Sequence, residues 1–216
     1  MIRLENLTKY FLVKGQRKYV ANNLNLTLPA RGSIGLVGRN GAGKSTLLKI
    51  LAGTMRASSG RVISDGEISW QIGFAGSFHP ELSGAQNVRF VARTYGVDTD
   101  ELIDYVGQFA ELGRSFHAPF RTYSSGMRAR LAFGLSMGVP FSYYLIDEVT
   151  AVGDAAFRKK CTAVLNERLE TAGAIVVSHS DATLQSICKS GMVLEDGHLA
   201  WHDEINDALA EHNARM

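Results

Sequence analysis

Gly38-Arg39-Asn40-Gly41-Ala42-Gly43-Lys44-Ser45 decides how this 216-residue chain is read. The octapeptide fits G-x-x-x-x-G-K-[ST], the phosphate-binding P-loop. Alone it could be a glycine-rich turn, but its flanks agree with the motif. Gly32-Ser33-Ile34-Gly35-Leu36-Val37 predicts a short buried strand. Thr46-Leu47-Leu48-Lys49-Ile50-Leu51-Ala52-Gly53 predicts a helix that stops at glycine. Strand, loop and helix together aim backbone N–H groups and a helix N-terminus at a phosphate. Gly38, Arg39, Asn40, Gly41, Ala42, Gly43, Lys44, Ser45 and Thr46 are therefore the expected phosphate cradle. Lys44 would reach the β- and γ-phosphates, and Ser45 would place its hydroxyl on Mg²⁺.

The bulk numbers fit one ordinary domain, or one with a small subdomain, and the length suffices for a real core. The apolar fraction is 45%. A net charge of +2 is too small to argue for nucleic acid, and no nucleic-acid partner is expected. Cys161 and Cys188 lie far apart and form no C-x-x-C, so buried, reduced thiols in a cytoplasmic setting are expected. Met1-Ile2-Arg3-Leu4-Glu5 lacks the shape of a signal peptide, and no run approaches a membrane span. Attachment to a membrane through a partner stays open.

Working outward, Ile2 to Leu7 and Leu24-Asn25-Leu26-Thr27-Leu28 predict strands, with Tyr10 to Tyr19 as a solvated hairpin tip. Arg61-Val62-Ile63 and the alternating Ile68, Trp70 and Ile72 flank Asp65-Gly66, which predicts a small antiparallel hairpin beside the core. Between 84 and 138 the period turns helical. Val88, Val91, Ala92 and Tyr95 share a face, as do Leu102, Ile103, Val106 and Phe109, and a further helix carries Leu131, Phe133 and Leu135. This block predicts an inserted helical subdomain. Beyond it, strand (141–146), helix (157–169) and strand (174–177) imply a parallel α/β sheet. A hairpin around Asp196-Gly197 and a short terminal helix through Ile205, Ala208 and Leu209 close the chain.

A P-loop enzyme needs a carboxylate that holds Mg²⁺ from a neighbouring strand. Asp147 ends an apolar strand, where parallel sheets present ligands, and Glu148 beside it could orient or deprotonate an attacking water. The bland alternative is an acidic helix cap. His179 ends the next strand and could reach the γ-phosphate, although a lone histidine is more often satisfied in a core or loop.

Tyr123-Ser124-Ser125-Gly126-Met127 makes the reading specific. The chain resembles the nucleotide-binding subunit of an ATP-binding cassette (ABC) transporter, whose signature usually reads Leu-Ser-Gly-Gly-Gln. Taken alone, the pentapeptide is a turn and a helix cap; its place between P-loop and Asp147-Glu148 favours the signature. The resemblance covers essentially the whole chain. It implies a P-loop NTPase of the ABC ATPase type, α/β, with a parallel-sheet core, an N-terminal antiparallel β subdomain and an inserted helical subdomain, all within one domain spanning 1–216. It further implies ATP and Mg²⁺ as cofactors, and a head-to-tail homodimer in which Ser125 and Gly126 meet the γ-phosphate bound by the other copy. Asp154 would work across that interface, and His179 matches the family's switch histidine. Phe11 falls where the family stacks an aromatic on adenine, with Tyr10 adjacent as the other candidate. His79 is placed where the family has a glutamine that contacts Mg²⁺ and the water, so the coupling between lobes is expected to differ.

Phe78-His79-Pro80-Glu81-Leu82-Ser83-Gly84, Thr122-Tyr123-Ser124-Ser125-Gly126-Met127-Arg128 and Asp147-Glu148-Val149-Thr150-Ala151-Val152-Gly153-Asp154 look like ABC subunits that export cell-surface polysaccharides, most of all capsular ones of Gram-negative bacteria. That likeness implies an ATP hydrolase peripheral to the cytoplasmic face of the inner membrane. Its partners would be a separate integral membrane permease, docked near His79 and 85–112, and a lipid-linked polysaccharide cargo. The end at Met216 gives the expectation of no C-terminal carbohydrate-binding domain. The alternatives are a soluble ABC ATPase acting on nucleic acid or ribosomes, and an O-antigen or teichoic acid exporter subunit.

Overall fold

The computed structural model describes residues 1–73, 78–147 and 154–215. It divides into two compact units. The first holds Met1–Gln71, Phe141–Glu148 and Leu169–Met216; the second holds Ile72–Pro140 and Val149–Arg168. The second unit therefore reaches beyond the 84–138 block that helical periodicity marks.

The first unit is built on two sheets. Strands β1 (Ile2–Val13), β2 (Gln16–Leu28) and β4 (Ser59–Ser64) form an antiparallel sheet in the order β2-β1-β4. Between β2 and β4 run β3 (Gly32–Val37) and helix α1 (Lys44–Leu51). The second sheet has the order β5-β6-β7-β3-β8-β9. It adds β5 (Ile68–Gln71), β6 (Tyr143–Asp147), β7 (Gly173–Val177), β8 (Ser190–Glu195) and β9 (His198–His202). Its neighbours are parallel except for the closing β8–β9 pair.

Apolar strands covered on both faces are what such a sheet requires. One face buries Ile34, Leu36, Leu145, Ile175 and Met192 against Leu47 and Leu48 of α1 and against Ile2, Leu4 and Leu7 of β1. The other face takes the helices Asp181–Ile187 and Ile205–Ala214, whose Leu184 and Ile205 lie over Gly35.

Two strand expectations are corrected. The hairpin tip is shorter than 10–19, because β1 and β2 stay paired out to Val13 and Gln16 and leave Lys14-Gly15 as the turn. Tyr10 and Tyr19 are cross-strand partners with ring centroids 5.8 Å apart. Second, 61–63 and 68–72 are not a hairpin. β4 pairs with β1, whereas β5 joins the main sheet parallel to β6. Long-range bonds explain the switch: the buried Ser69 hydroxyl accepts the Leu145 N–H at 2.9 Å, and the Glu67 carbonyl accepts that of Ser142 at 3.0 Å. Trp70 packs edge-on against Phe141 at 5.0 Å. Alternation alone is compatible with either neighbour.

The second unit is helical. It contains α2 (Gly84–Tyr95), α3 (Thr99–Ala110), α4 (Ser125–Gly138) and most of α5 (Ala155–Thr171). Leu102, Val106 and Phe109 of α3 are buried as periodicity predicts. Phe109 packs against Tyr105, Phe133 and Phe157 at centroid distances of 5.9, 5.9 and 5.5 Å. The remaining helices of the first unit are α6 (Asp181–Ile187) and α7 (Ile205–Ala214).

Both cysteines are buried, in α5 and directly after α6. Burial pushes the Cys161 thiol up to about 11 and that of Cys188 up to about 12, so both stay protonated and unreactive.

Candidate nucleotide site

Parallel pairing brings the ends of β3, β5, β6 and β7 to one edge of the sheet, where α/β proteins bind ligands. The P-loop leaves β3 at Gly38. Gly38 and Gly43 have φ of 154° and 109°, and a side chain at either would collide: a Cβ at Gly38 would lie 2.4 Å from the Leu194 carbonyl oxygen, and one at Gly43 2.2 Å from Val20. The glycines are thus demanded by backbone shape and by close approach. The Lys44 ammonium donates to the carbonyls of Gly38 and, at 3.2 Å, Arg39, so it folds back onto the loop it would share with a phosphate. Burial lowers the Lys44 pKa, and the nearby Asp147 carboxylate works against that shift.

Asp147 is the hub of the strand ends. Its Oδ2 accepts from the Ser45 hydroxyl at 3.2 Å and from the Gln71 amide at 3.0 Å. The hydroxyl and the carboxylate are hard oxygen donors, which suits Mg²⁺. Among the described residues no three His, Cys, Asp or Glu side chains gather as a metal cluster. A cation at Ser45 and Asp147 would therefore complete its shell with water and phosphate oxygens, as Mg²⁺ does with nucleotides. No sequence pattern marks Gln71: a glutamine at the end of a four-residue strand carries no motif.

His179 lines a 410 Å³ cavity together with Gly38, Arg39, Asn40 and Lys44, so the switch-histidine expectation and the P-loop meet in one place. Gly41, Ala42 and Thr46 lie in the same loop and in the first turn of α1. Phe11 sits near the hairpin tip, 41% exposed, with the Lys9 ammonium 5.1 Å from its ring centroid. Tyr10 is taken up by Tyr19 and by the Arg17 guanidinium, 4.6 Å from its ring, which leaves Phe11 as the more available aromatic. Glu148, with 149–153, lies outside the described residues.

The second unit holds the remaining expected residues. Ser124 is the N-cap of α4, its hydroxyl accepting the Met127 N–H at 3.2 Å. Ser125 and Gly126 begin the helix itself, exposed, where free N–H groups and the helix dipole favour an anion. The resemblance points to Ser125; the structure makes Ser124 the residue that shapes this helix start, a role that an S-x-x pattern before a helix announces. Asp154 caps α5, accepting the Phe157 N–H at 2.9 Å, and pairs with Arg130 at 3.0 Å. The Phe157 N–H, then the Arg130 charge, hold its carboxyl below the usual range.

His79 is built into a turn. Its backbone N–H donates to Asn87 Oδ1 at 2.8 Å, and its ring Nδ1 accepts the Glu81 N–H at 3.3 Å. The structure thus gives His79 a local role, and it is the Gln71 amide that touches the Asp147 carboxylate.

This geometry agrees with the chain's relatives. Residues 21–151 match the family model described as ABC transporter. The chain belongs to the ABC transporter family. It is 47% identical to the polysialic acid transport ATP-binding protein KpsT of Escherichia coli, over 98% of either chain. It is 39% identical, over 99% of either chain, to the capsule polysaccharide export ATP-binding protein CtrD of Neisseria meningitidis serogroup B. In fold it matches a solved ATP-binding subunit of an ABC transporter, with a TM-score of 0.80 at 19% identity over 99% of each chain. The ABC ATPase architecture is thus that of this chain, and its family activity is ATP hydrolysis coupled to transport.

Proposed function

We propose that this chain is the ATP-hydrolysing subunit of an exporter that moves a capsule-type cell-surface polysaccharide through a separate membrane subunit. The observation that carries the chemistry is the convergence of Ser45 and Gln71 on the Asp147 carboxylate at the mouth of the P-loop. The cargo class rests on near full-length likeness to proteins named for polysialic acid transport and capsule polysaccharide export.

In this reading the P-loop N–H groups of 38–45 hold the β- and γ-phosphates, and Lys44 turns from its own loop's carbonyls to phosphate oxygens. Ser45 and Asp147 hold Mg²⁺, which when bound neutralises charge on the phosphates. Glu148 orients or deprotonates the attacking water. His179 donates to the γ-phosphate as negative charge develops. Phe11 stacks on adenine. Two copies close head to tail, so that Ser125, Gly126 and Asp154 of one copy complete the site of the other. The whole of 1–216 acts as one ATPase domain, its helical part providing the docking face for the permease. Among the described residues no helix is long and apolar enough to cross a membrane. In this reading the lipid-linked cargo passes through the permease, with this chain peripheral at the cytoplasmic face.

The test is a tagged copy in its native host, purified from detergent-solubilised membranes. A multi-spanning protein recovered in equal amount, with capsule-synthesis proteins around it, is the expected result. A chain that stays wholly soluble, or that comes down with nucleic acid or ribosomes, would retain the ATPase and remove the exporter.

A further inference from the structure

The terminal helix α7 ends at the nucleotide site. Its last turn brings His212 and Asn213 to the wall of the same 410 Å³ cavity that Lys44, Arg39 and His179 line. The helix is tightly seated. Its Ile205 methyl lies 2.5 Å from where a Cβ on Gly35 of β3 would stand, and the Ala208 Cβ is 2.5 Å from the corresponding point on Gly191 of β8. Only glycines let a helix approach those strands so closely.

Polar bonds fix the last turn as well. Glu211 meets His202 Nε2 at 2.5 Å and Arg215 at 2.6 Å, and Arg215 also bonds Glu195 at the end of β8. Asn213 Nδ2 donates to Asp181 Oδ2 at 3.4 Å. His212 is thereby held in a set position relative to β3 and the loop that leaves it. Its side chain is partly buried, and among the described residues its ring makes no hydrogen bond or ion pair.

We infer that His212 is a phosphate-contacting residue of the ATP site, donating a ring N–H to the terminal phosphate of the nucleotide beside Lys44 and His179. An imidazole carries an N–H donor in either tautomer, and phosphate oxygens are strong acceptors of such bonds. The cavity wall already carries an ammonium at Lys44 and a guanidinium at Arg39. Among the described lining residues the one carboxylate, Asp181, takes a bond from Asn213. Lys44 marks the end of the cavity where the β- and γ-phosphates go. The contact should therefore be felt by a triphosphate and not by a diphosphate. This inference rests on the ATP-site reading and is independent of the cargo.

Equilibrium titrations of the full chain with a non-hydrolysable ATP analogue and with ADP, both with Mg²⁺, test it on His212→Ala and His212→Gln. Loss of a hydrogen bond to a charged group should weaken the analogue about tenfold or more in His212→Ala. ADP affinity and the melting midpoint should stay put, and His212→Gln, which keeps a donor, should recover part of the loss. If His212→Ala fails to fold, the analogue-to-ADP affinity ratio of His212→Phe, which keeps a ring and has no donor, decides: a ratio lowered from that of the wild type supports the contact, and an unchanged ratio removes it. Unchanged affinities, or an equal loss for both nucleotides with a lowered midpoint, would overturn the assignment and leave His212 as packing. A wild-type chain that binds neither nucleotide would overturn the ATP site itself, and this inference with it.

Discussion

In the proposed function the two units meet the same demand, binding an anion, with different materials. In the first, the proposed phosphate-binding groups stand at the ends of largely buried strands, and the decisive contacts are short and polar: Ser45 and Gln71 on Asp147, Lys44 on its own loop. In the second, the proposed anion site is a bare helix start, Ser125-Gly126, carried by helices that an aromatic cluster and an ionic network hold together. Tight glycine packing makes the first site sensitive to single atoms. The second depends on its scaffold, because a helix terminus binds only where its helix is kept in place.

By that contrast the heaviest single lesion lies in the scaffold of the second unit. Phe109 is 5% exposed and touches three other rings. Phe109→Ala removes them all and leaves a cavity, a loss of about 3–5 kcal/mol. Chemical denaturation should show this, and hydrogen exchange should find lost protection in α3, α4 and α5. Full protection in α3 and α4 would mean that the ring cluster is not what holds them.

In the first unit the corresponding lesion is chemical. Asp147→Asn keeps the shape but removes the anionic oxygen on which Ser45 and Gln71 converge. Turnover should fall at least about a hundredfold, equivalent to about 2.7 kcal/mol of transition-state stabilisation. The melting midpoint without nucleotide should move little. An undiminished rate at saturating Mg²⁺ would take Asp147 out of the metal site.

What could be read beforehand divides along the same line. The P-loop is legible because its whole mechanism sits in eight adjacent residues, with glycines where the backbone must turn or be approached. Asp147 is legible because an apolar run ends on it. Gln71 is not, since its meaning comes from the sheet that β5 joins, and the alternation of Ile68, Trp70 and Ile72 fits either sheet. That choice is made by the Ser69 hydroxyl and the Glu67 carbonyl, long-range bonds without a pattern. The choice between Ser124 and Ser125 turns on where helix α4 begins, a matter of one residue. α7 announces itself by Ile205, Ala208 and Leu209, but its apolar face says nothing of where its last turn lies.

The smallest effect tests whether charge, as well as rings, holds the second unit. Glu111 bonds Lys160 at 2.7 Å and Arg130 at 3.3 Å, and Arg130 also bonds Asp154. Lys160 first, then Arg130, hold the Glu111 carboxyl below its ordinary 4.5, while the Phe157 N–H and Arg130 hold Asp154 below 3.8. Both carboxyl pKa values are lower folded than unfolded. Their contribution is therefore complete above those ordinary values and is lost as pH falls through the folded ones. Both groups are exposed, so the slope is shallow. Lys160→Met keeps the stem beside Phe109 and removes the larger partner of Glu111. In urea denaturation its midpoint should fall less than that of the wild type between about pH 5 and pH 3. Equal slopes would leave the aromatic cluster as the sole support of the helix that presents Ser125.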